Sequence, residues 1–240
     1  MKRLAFLALG LLAAAPAAAQ APVVTAVPVD WTRQVAATPE GGFRLGNPNA
    51  PLKLVEFLSL TCSHCADFSA EAMPSLIQHV RSGRVSVEYR NYVLNHYDLA
   101  AAVLTRCASP REYFAMTTHL FAQQDVWAGR ADALTPAQRA EVEVRPTPQS
   151  VARTAELIGL KQIAAEHGIT AAEANRCLAS AEGLSQVMAM RDAADRLGVD
   201  GTPTFMLNGR MVGAANWAMI QPLLAETPGQ AATGAGERGR

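Results

Sequence analysis

The sequence predicts an α/β domain that is interrupted by an all-helical subdomain. Strand-like runs lie near both ends of the chain, at residues 53–60, 85–93 and 204–212. Between the second and third runs, roughly a hundred residues show helical spacing of apolar side chains and almost no strand pattern. A strand, a helix and a strand open the core, which fits a parallel pair with a right-handed crossover. We therefore place the core at residues 46–96 and 199–225, and the inserted subdomain at 97–198.

Residues 1–21 have the pattern of a secretory signal peptide. A positive start, a short apolar run and a stretch of small residues follow one another. This pattern predicts export to a compartment that permits disulfides, with cleavage after Ala19 or Ala21. A membrane anchor is the alternative, but the apolar run is shorter than the roughly 20 residues that a span needs.

Composition excludes several classes of protein. The chain has 21 Lys and Arg residues and 21 Asp and Glu residues, whereas a dedicated nucleic-acid binder normally has a basic surplus. Removal of the leader would leave it slightly acidic. Half of the residues are apolar, which excludes wholesale disorder, and 4 cysteines are too few for a small disulfide-stapled scaffold.

The first half of the core follows an extended lead-in at residues 22–45. Residues 53–60 (KLVEFLSL) are β-branched, aromatic and aliphatic, as in a buried strand. Residues 66–80 have helical spacing, and Pro74 inside them predicts a kink. Residues 85–93 alternate as a second strand.

Helices dominate the middle of the chain, and strands return after Gly201. Thr170 and Glu173 form a capping box ahead of one of the helices. The predicted helices cover residues 97–108, 112–127, 148–158 and 184–197, with a short one starting at 135–136. Asn208-Gly209 is a hairpin turn between strands at 204–207 and 210–212. A helix at 217–224 and a disordered tail at 226–240 complete the chain.

Cys62-Ser63-His64-Cys65 is the motif that carries chemistry. It lies between a predicted strand and a predicted helix, so Cys62 is placed at a helix N-terminus, where the dipole stabilises a thiolate. Cys62 is the candidate nucleophile, Cys65 the candidate resolving thiol, and His64 a candidate partner of the Cys62 thiolate. Because thiolate stabilisation favours the reduced form, it makes the disulfide a stronger oxidant.

Three plainer interpretations of this motif remain. A structural disulfide would close too small a loop to stabilise much. A structural zinc site would need two more ligands, and neither a second close cysteine pair nor suitably spaced histidines are present. His64 could also be an ordinary polar surface residue. We expect no bound metal and no cofactor.

A second informative segment is Gly201-Thr202-Pro203-Thr204-Phe205. A proline at the start of a strand removes a hydrogen-bond donor and restricts the residue before it. A cis Thr202–Pro203 bond would expose backbone groups that could pair with an extended substrate beside Cys62. Taken alone, the segment favours an ordinary trans proline, because few X-Pro bonds are cis.

Taken together, these segments resemble the DsbA-type thiol:disulfide oxidoreductases of the bacterial periplasm. The resemblance rests on EFLSLTCSHC (Glu56–Cys65), YFAMTTHLFAQQDVW (Tyr113–Trp127) and GVDGTPTFMLNG (Gly198–Gly209), and with the order of elements it covers about residues 40–225. It implies a thioredoxin fold with an inserted helical subdomain, a periplasmic location and a cis Pro203.

The resemblance also implies roles and partners. Glu56 matches an acidic residue that in the family lies buried beneath the site and is linked to proton transfer at the second cysteine. The alternative is a solvent-facing strand residue. The implied partners are reduced exported client proteins and a membrane reoxidant of the DsbB type. The short lead-in favours a monomer.

Cys107 and Cys177 lie within the helical subdomain. Two unpaired thiols would be a liability in an oxidising compartment, so a mutual disulfide is the natural expectation. Its alternative is a pair of buried free cysteines.

Two other functions stay open at this point. Thr202 before the proline is common in isomerases of the superfamily, so a disulfide isomerase or reductase kept reduced by a DsbD-type partner is one alternative. The other is a non-catalytic periplasmic chaperone or metal-binding module.

Overall fold

A six-stranded mixed sheet forms the centre of the computed structural model, which describes residues 29–225. The strands are β1 (Val35–Ala37), β2 (Phe43–Gly46), β3 (Leu52–Leu58), β4 (Val85–Asn91), β5 (Thr204–Leu207) and β6 (Arg210–Ala214). They lie in the order β1-β2-β4-β3-β5-β6. Only β3 and β4 pair in parallel, and the other neighbouring strands are antiparallel.

Ten α-helices accompany the sheet in the described part of the chain, after a short 3-10 helix at Trp31–Arg33. They are α1 (Ser63–Arg81), α2 (His96–Thr105), α3 (Pro110–Ala122), α4 (Gln124–Gly129), α5 (Pro136–Val142), α6 (Pro148–Leu157), α7 (Leu160–Glu166), α8 (Ala171–Leu178), α9 (Ala181–Arg196) and α10 (Trp217–Ala225). Helices α2 to α9 follow one another between β4 and β5, as the sequence pattern predicts.

The centre of the sheet is buried on both faces. In β3 only Lys53 is exposed, which explains why this strand is a nearly continuous apolar run. α1 packs its apolar stripe of Phe68, Ala72 and Leu76 into the main core. A second cluster, which includes Val55, packs on the end of α9. The polar Glu56 is therefore enclosed in the middle of the sheet.

The last two strands form the hairpin that the Asn-Gly pair predicts. Asn208 and Gly209 have φ values of 49° and 78°, which is the backbone that a type I′ turn requires. The Asn208 side chain also accepts a hydrogen bond from the Lys53 amide at 2.8 Å. The turn thereby joins the hairpin to the start of β3.

Several boundaries differ from the sequence-based expectation. The extended lead-in contains β1 and β2, which join the sheet beside β4. These strands are too short for their periodicity to stand out. The single helix predicted at 112–127 is wrong, because α3 ends at Ala122 and α4 begins at Gln124. Between them Gln123 has non-helical backbone angles, and the Trp127 indole donates to the Leu120 carbonyl at 2.8 Å across the break.

The predicted leader (1–21) and tail (226–240) lie outside the described residues. Among the helices between residues 29 and 225, none is both long and apolar enough to cross a membrane.

Candidate redox site

Cys62 lies where the central strand passes into the first helix. It is the N-cap residue of α1 and has extended backbone angles. Its side chain is half-buried, and its pKa is lowered to about 5. The largest cause is a hydrogen bond from the Cys65 thiol. The Thr202 side chain and the backbone N–H groups of Cys65 and His64 add to it, and partial burial opposes it.

Cys65 has the opposite environment. Its side chain is fully buried in the core, one turn into α1. Burial raises the pKa of this thiol far above its ordinary value, and the hydrogen bond to Cys62 and the charge of Glu56 raise it further. The two sulfurs therefore differ in both access and ionisation. The geometry makes Cys62 the reacting sulfur. An external thiolate can attack it in the disulfide, its own thiolate can attack in the reduced pair, and Cys65 is its internal partner.

His64 is exposed, next to Cys62. Among the hydrogen bonds that lower the pKa of Cys62, the His64 contribution comes from its backbone N–H. Its imidazole lines a cleft of about 500 Å³, together with Thr202 and Pro203. The role of the imidazole in stabilising the thiolate stays a prediction.

The loop before β5 faces the same cysteine. The Thr202–Pro203 peptide bond is cis, and the Thr202 carbonyl accepts a hydrogen bond from Cys62 Sγ at 3.2 Å. The Thr202 hydroxyl is buried and has no hydrogen-bond partner while the Cys62 thiol keeps its proton. A Cys62 thiolate would offer it an acceptor, which agrees with its lowering effect on the pKa of Cys62. Two segments 140 residues apart in sequence thus form one site.

Glu56 lies beneath the site with only 1% of its surface exposed. It is paired with Tyr89 of β4 and Phe205 of β5, and its Oε1 has no hydrogen-bond partner. Burial raises its pKa to about 8, with a smaller contribution from the charge of Cys62. The solvent-facing alternative is therefore wrong. A carboxyl that keeps its proton near neutral pH lies close to both sulfurs.

Replacement of Glu56 with glutamine is expected to change how stability depends on pH. The folded protein keeps a proton on Glu56 up to about pH 8, whereas the unfolded chain releases it near 4.5. The folded state binds more protons in this window, so its stability falls as the pH rises through it. For the oxidised protein, Glu56→Gln should raise the free energy of unfolding by about 4 to 5 kcal/mol at alkaline pH relative to acid pH, because the two pKa values lie more than three units apart.

Urea denaturation of the oxidised protein at a series of pH values measures this effect. The oxidised form is used because its active-site sulfurs do not titrate. Glu71→Gln, an exposed change on α1, is the matched control and should leave the wild-type profile unchanged. Parallel profiles for Glu56→Gln and wild type would show that folding does not change the pKa of Glu56.

Two residues of the helical subdomain also hold the active-site turn, and the sequence reasoning did not identify them. Gln124 Nε2 donates to the carbonyls of Leu60 (2.8 Å) and Cys62 (3.0 Å). Asp98 accepts from the Leu60 N–H at 2.8 Å. Gln124 lies within the quoted YFAMTTHLFAQQDVW segment. Asp98 lies three residues after the N-cap Asn95, a spacing that resembles a capping box and could have singled it out.

The other cysteine pair lies away from this site. Cys107, just after α2, and Cys177, in α8, form a disulfide with their Cα atoms 5.8 Å apart. Within residues 29–225, no three His, Cys, Asp or Glu side chains are grouped so that they could hold a metal ion.

Comparison with known proteins agrees with this geometry. A protein of Rickettsia bellii, named for protein-disulfide oxidoreductase activity, is 32% identical over 92 residues, which are 37% of this chain and 35% of that protein. The chain thus spans about a third of the length of the curated relatives that it matches. A protein-disulfide isomerase from Novosphingobium aromaticivorans, solved by crystallography, is 32% identical with a TM-score of 0.72, covering 77% of this chain and 96% of that one.

The predicted fold class is confirmed by this likeness and by a more distant one. The crystal structure of Wolbachia pipientis alpha-DsbA1 is 22% identical with a TM-score of 0.62, covering 79% of this chain and 92% of that one. The family model described as thioredoxin matches residues 38–226. This match takes in five of the six strands, the cysteine pair, the helical subdomain and the cis-proline loop, and the chain therefore belongs to the thioredoxin family.

Proposed function

We propose that this protein is a periplasmic thiol:disulfide oxidoreductase that introduces disulfides into exported proteins. The observation that carries the proposal is the contrast between the two sulfurs. The half-exposed Cys62 has a pKa of about 5, whereas the buried Cys65 holds its proton far above the ordinary range. In such a pair, an incoming thiolate attacks the accessible Cys62 sulfur, and Cys62 can later leave as a stable thiolate.

The reaction begins with the Cys62–Cys65 disulfide and a reduced client. A client thiolate attacks Cys62 Sγ, the accessible sulfur, and the Cys62–Cys65 bond breaks as the client–Cys62 bond forms. Cys65 leaves as a thiolate in the buried core, where the charged form is strongly disfavoured. It therefore takes up a proton. The carboxyl of Glu56, which keeps its proton up to about pH 8, is placed to supply it.

A second client thiolate then attacks the client sulfur of the mixed disulfide. The client disulfide forms, and Cys62 leaves as a thiolate that its surroundings stabilise. The client dithiol has lost two electrons and two protons. The protein has gained both electrons. One client proton replaces the one that Glu56 passes to Cys65, and the other goes to solvent or to another basic group of the protein.

Thiolate stabilisation also supports the direction of the reaction. Lowering the pKa of Cys62 stabilises the reduced protein relative to the disulfide, which makes the disulfide a stronger oxidant. The contribution is reduced by solvent screening, because the sulfur is half-exposed. It nevertheless favours an oxidase over a reductase.

The cleft beside Cys62 supports a substrate-binding role for the cis-proline loop. Thr202, Pro203 and His64 all line it. We assign the loop to pairing with an extended client segment while its cysteine reacts. We assign His64 to interaction with the Cys62 thiolate from the exposed side.

A periplasmic location is part of the proposal. Its support is the leader-like pattern of residues 1–21 together with the Cys107–Cys177 disulfide, a kind of bond that persists in oxidising compartments. A membrane reoxidant of the DsbB type would restore the Cys62–Cys65 disulfide. The protein would act as a monomer.

A disulfide isomerase or reductase is the second candidate function. Two observations favour it: Thr202 before the cis proline, and the likeness to the Novosphingobium protein, which is named a protein-disulfide isomerase. Such a protein would be kept reduced by a DsbD-type partner. The redox state in cells distinguishes the two, since an oxidase has Cys62–Cys65 mostly as a disulfide and an isomerase mostly as a dithiol.

Equilibration with glutathione tests the proposal directly. The reduction potential of the Cys62–Cys65 pair should lie nearer to the roughly −120 mV of a strong periplasmic oxidant than to the roughly −270 mV of thioredoxin. The oxidised protein should also speed disulfide formation in a reduced, unfolded client. A thioredoxin-like potential together with a reduced pair in cells would contradict the oxidase function.

A further inference from the structure

The turn that presents Cys62 is held by a buried carboxylate from the helical subdomain. Asp98, in the first turn of α2, is fully buried. Its Oδ1 accepts from the Leu60 N–H at 2.8 Å, and its Oδ2 accepts from the Leu94 N–H at 2.9 Å. Leu60 lies two residues before Cys62, and Leu94 lies in the loop after β4. One side chain therefore joins the loops at the ends of both parallel strands.

The side-chain amides of Asn95 and Gln124 also hold this turn. The Asp98 N–H donates to Asn95 Oδ1 at 2.9 Å, and Asn95 Nδ2 donates to Thr61 Oγ1 at 2.9 Å. Gln124 holds the carbonyls on the other side of the same turn, as described above. The turn from Leu60 to Cys62 is thus held at one backbone N–H by Asp98, at the Thr61 hydroxyl by Asn95 and at two backbone carbonyls by Gln124.

We propose that Asp98 is a positioning residue of the redox centre, through which the helical subdomain both fixes the turn that presents Cys62 and responds to the charge of its thiolate. The role of Asp98 in the reaction rests on the proposed function. The inference about the Cys62 thiolate does not require that clients be oxidised.

Charge coupling between the two groups follows from their burial and closeness. Burial raises the pKa of Asp98 to about 6, hydrogen bonds from Ser59, Leu94 and Leu60 oppose this, and the charge of Cys62 raises it further. The titratable group that faces Asp98 from α3 is Tyr113. Burial raises the pKa of Tyr113 to about 12, so its phenol stays neutral where Asp98 titrates. Cys62 is therefore the group near Asp98 whose charge changes in the same pH range.

Reduction of the protein places a new negative charge beside this carboxylate. Two electrons from a client dithiol enter the Cys62–Cys65 disulfide, one proton goes to Cys65 Sγ, and Cys62 stays ionised. The thiolate makes ionisation of Asp98 less favourable, so part of the Asp98 population takes up the second client proton. By the same coupling, ionised Asp98 makes the Cys62 thiolate less favourable.

The test is the thiolate titration of reduced protein, followed by ultraviolet absorbance against the oxidised form. Asp98→Asn keeps the side-chain size and one acceptor oxygen but removes the charge. The Cys62 thiol of this variant should ionise at lower pH than in the wild type, and over a narrower pH range. The thiolate fraction below the wild-type midpoint should rise roughly threefold, because a nearby buried charge is gone.

Thr154→Val is the matched control for a general loss of packing. Thr154 is a buried residue of α6 whose hydroxyl donates to the Ser150 carbonyl at 2.8 Å, away from the turn. It should leave the Cys62 titration at its wild-type position. An unmoved titration in Asp98→Asn, or an equal displacement in Thr154→Val, would overturn the proposal.

A reciprocal measurement covers the case in which Asp98→Asn does not fold. Carboxyl NMR should show Asp98 titrating at lower pH in reduced Cys62→Ala than in reduced wild-type protein, since coupling acts equally in both directions. Identical titrations would also overturn the proposal. Failure of the proposed function is distinguishable: clients would stay reduced while the Asp98 titration still moved with Cys62.

Discussion

Replacing Cys62 with alanine should abolish disulfide transfer to clients. Cys65 cannot substitute for it, because its side chain is fully buried and its pKa is raised far above the ordinary range. At neutral pH it provides almost no thiolate and no accessible sulfur. We expect the rate of oxidation of a reduced client to fall by a factor of about a thousand or more, to the uncatalysed rate, as measured by client thiol loss.

Cys65→Ala provides the informative comparison. It keeps the Cys62 thiolate but removes the internal thiol that resolves the mixed disulfide. With clients that already contain a disulfide, the Cys62 thiolate of this variant should displace one client thiolate and accumulate as a mixed disulfide, whereas Cys62→Ala should form none. Mass analysis of trapped complexes under non-reducing conditions measures both. If the Cys62→Ala variant formed complexes through Cys65, or still catalysed client oxidation, Cys62 would not be the nucleophile.

The fold could be predicted largely because its signals are local. The buried strand β3, the helix after the cysteine motif and the Asn208-Gly209 hairpin each follow from short stretches of sequence. β1 and β2 could not be predicted in this way, since three or four residues carry no reliable period. Their pairing with β4 is set by packing between distant parts of the chain. The break between α3 and α4 is accompanied by a hydrogen bond from the Trp127 indole to the Leu120 carbonyl, which the spacing of apolar residues does not reveal.

In the candidate site, too, residues with a local sequence signal could be predicted, whereas those placed by long-range contacts could not. Cys62 and Cys65 are recognisable from their spacing after a strand. Glu56 could be singled out as the one carboxylate in an apolar run, but its burial depends on the strands beside it. Asp98 and Gln124 act through backbone groups of the turn at Leu60–Cys62. The spacing of Asn95 and Asp98 resembles a capping box, but the contacts that Asp98 and Gln124 make with the distant turn leave no pattern of spacing in the sequence.

Loss of the second disulfide should lower the stability of the protein at every pH. The Cys107–Cys177 bond joins residues 70 apart. In the chain-entropy model, a cross-link over a loop of this length lowers the entropy of the unfolded chain enough to contribute about 4 kcal/mol. We expect the double variant Cys107→Ala/Cys177→Ala to lower the free energy of unfolding by about that amount, as measured by urea denaturation of the oxidised protein.

Comparison with the active-site bond separates the effect of loop length from that of losing a disulfide. Cys62 and Cys65 close a loop of only four residues, so the double variant Cys62→Ala/Cys65→Ala should change stability much less by this entropic route. Similar losses in the two double variants would contradict the loop-length argument.

Cys107 directly follows α2, the helix that carries Asp98. If the bond also keeps α2 in place against α8, its removal should slow client oxidation as well as lower stability. A variant that loses stability yet oxidises clients at the wild-type rate would show that α2 is held in place by its packing alone.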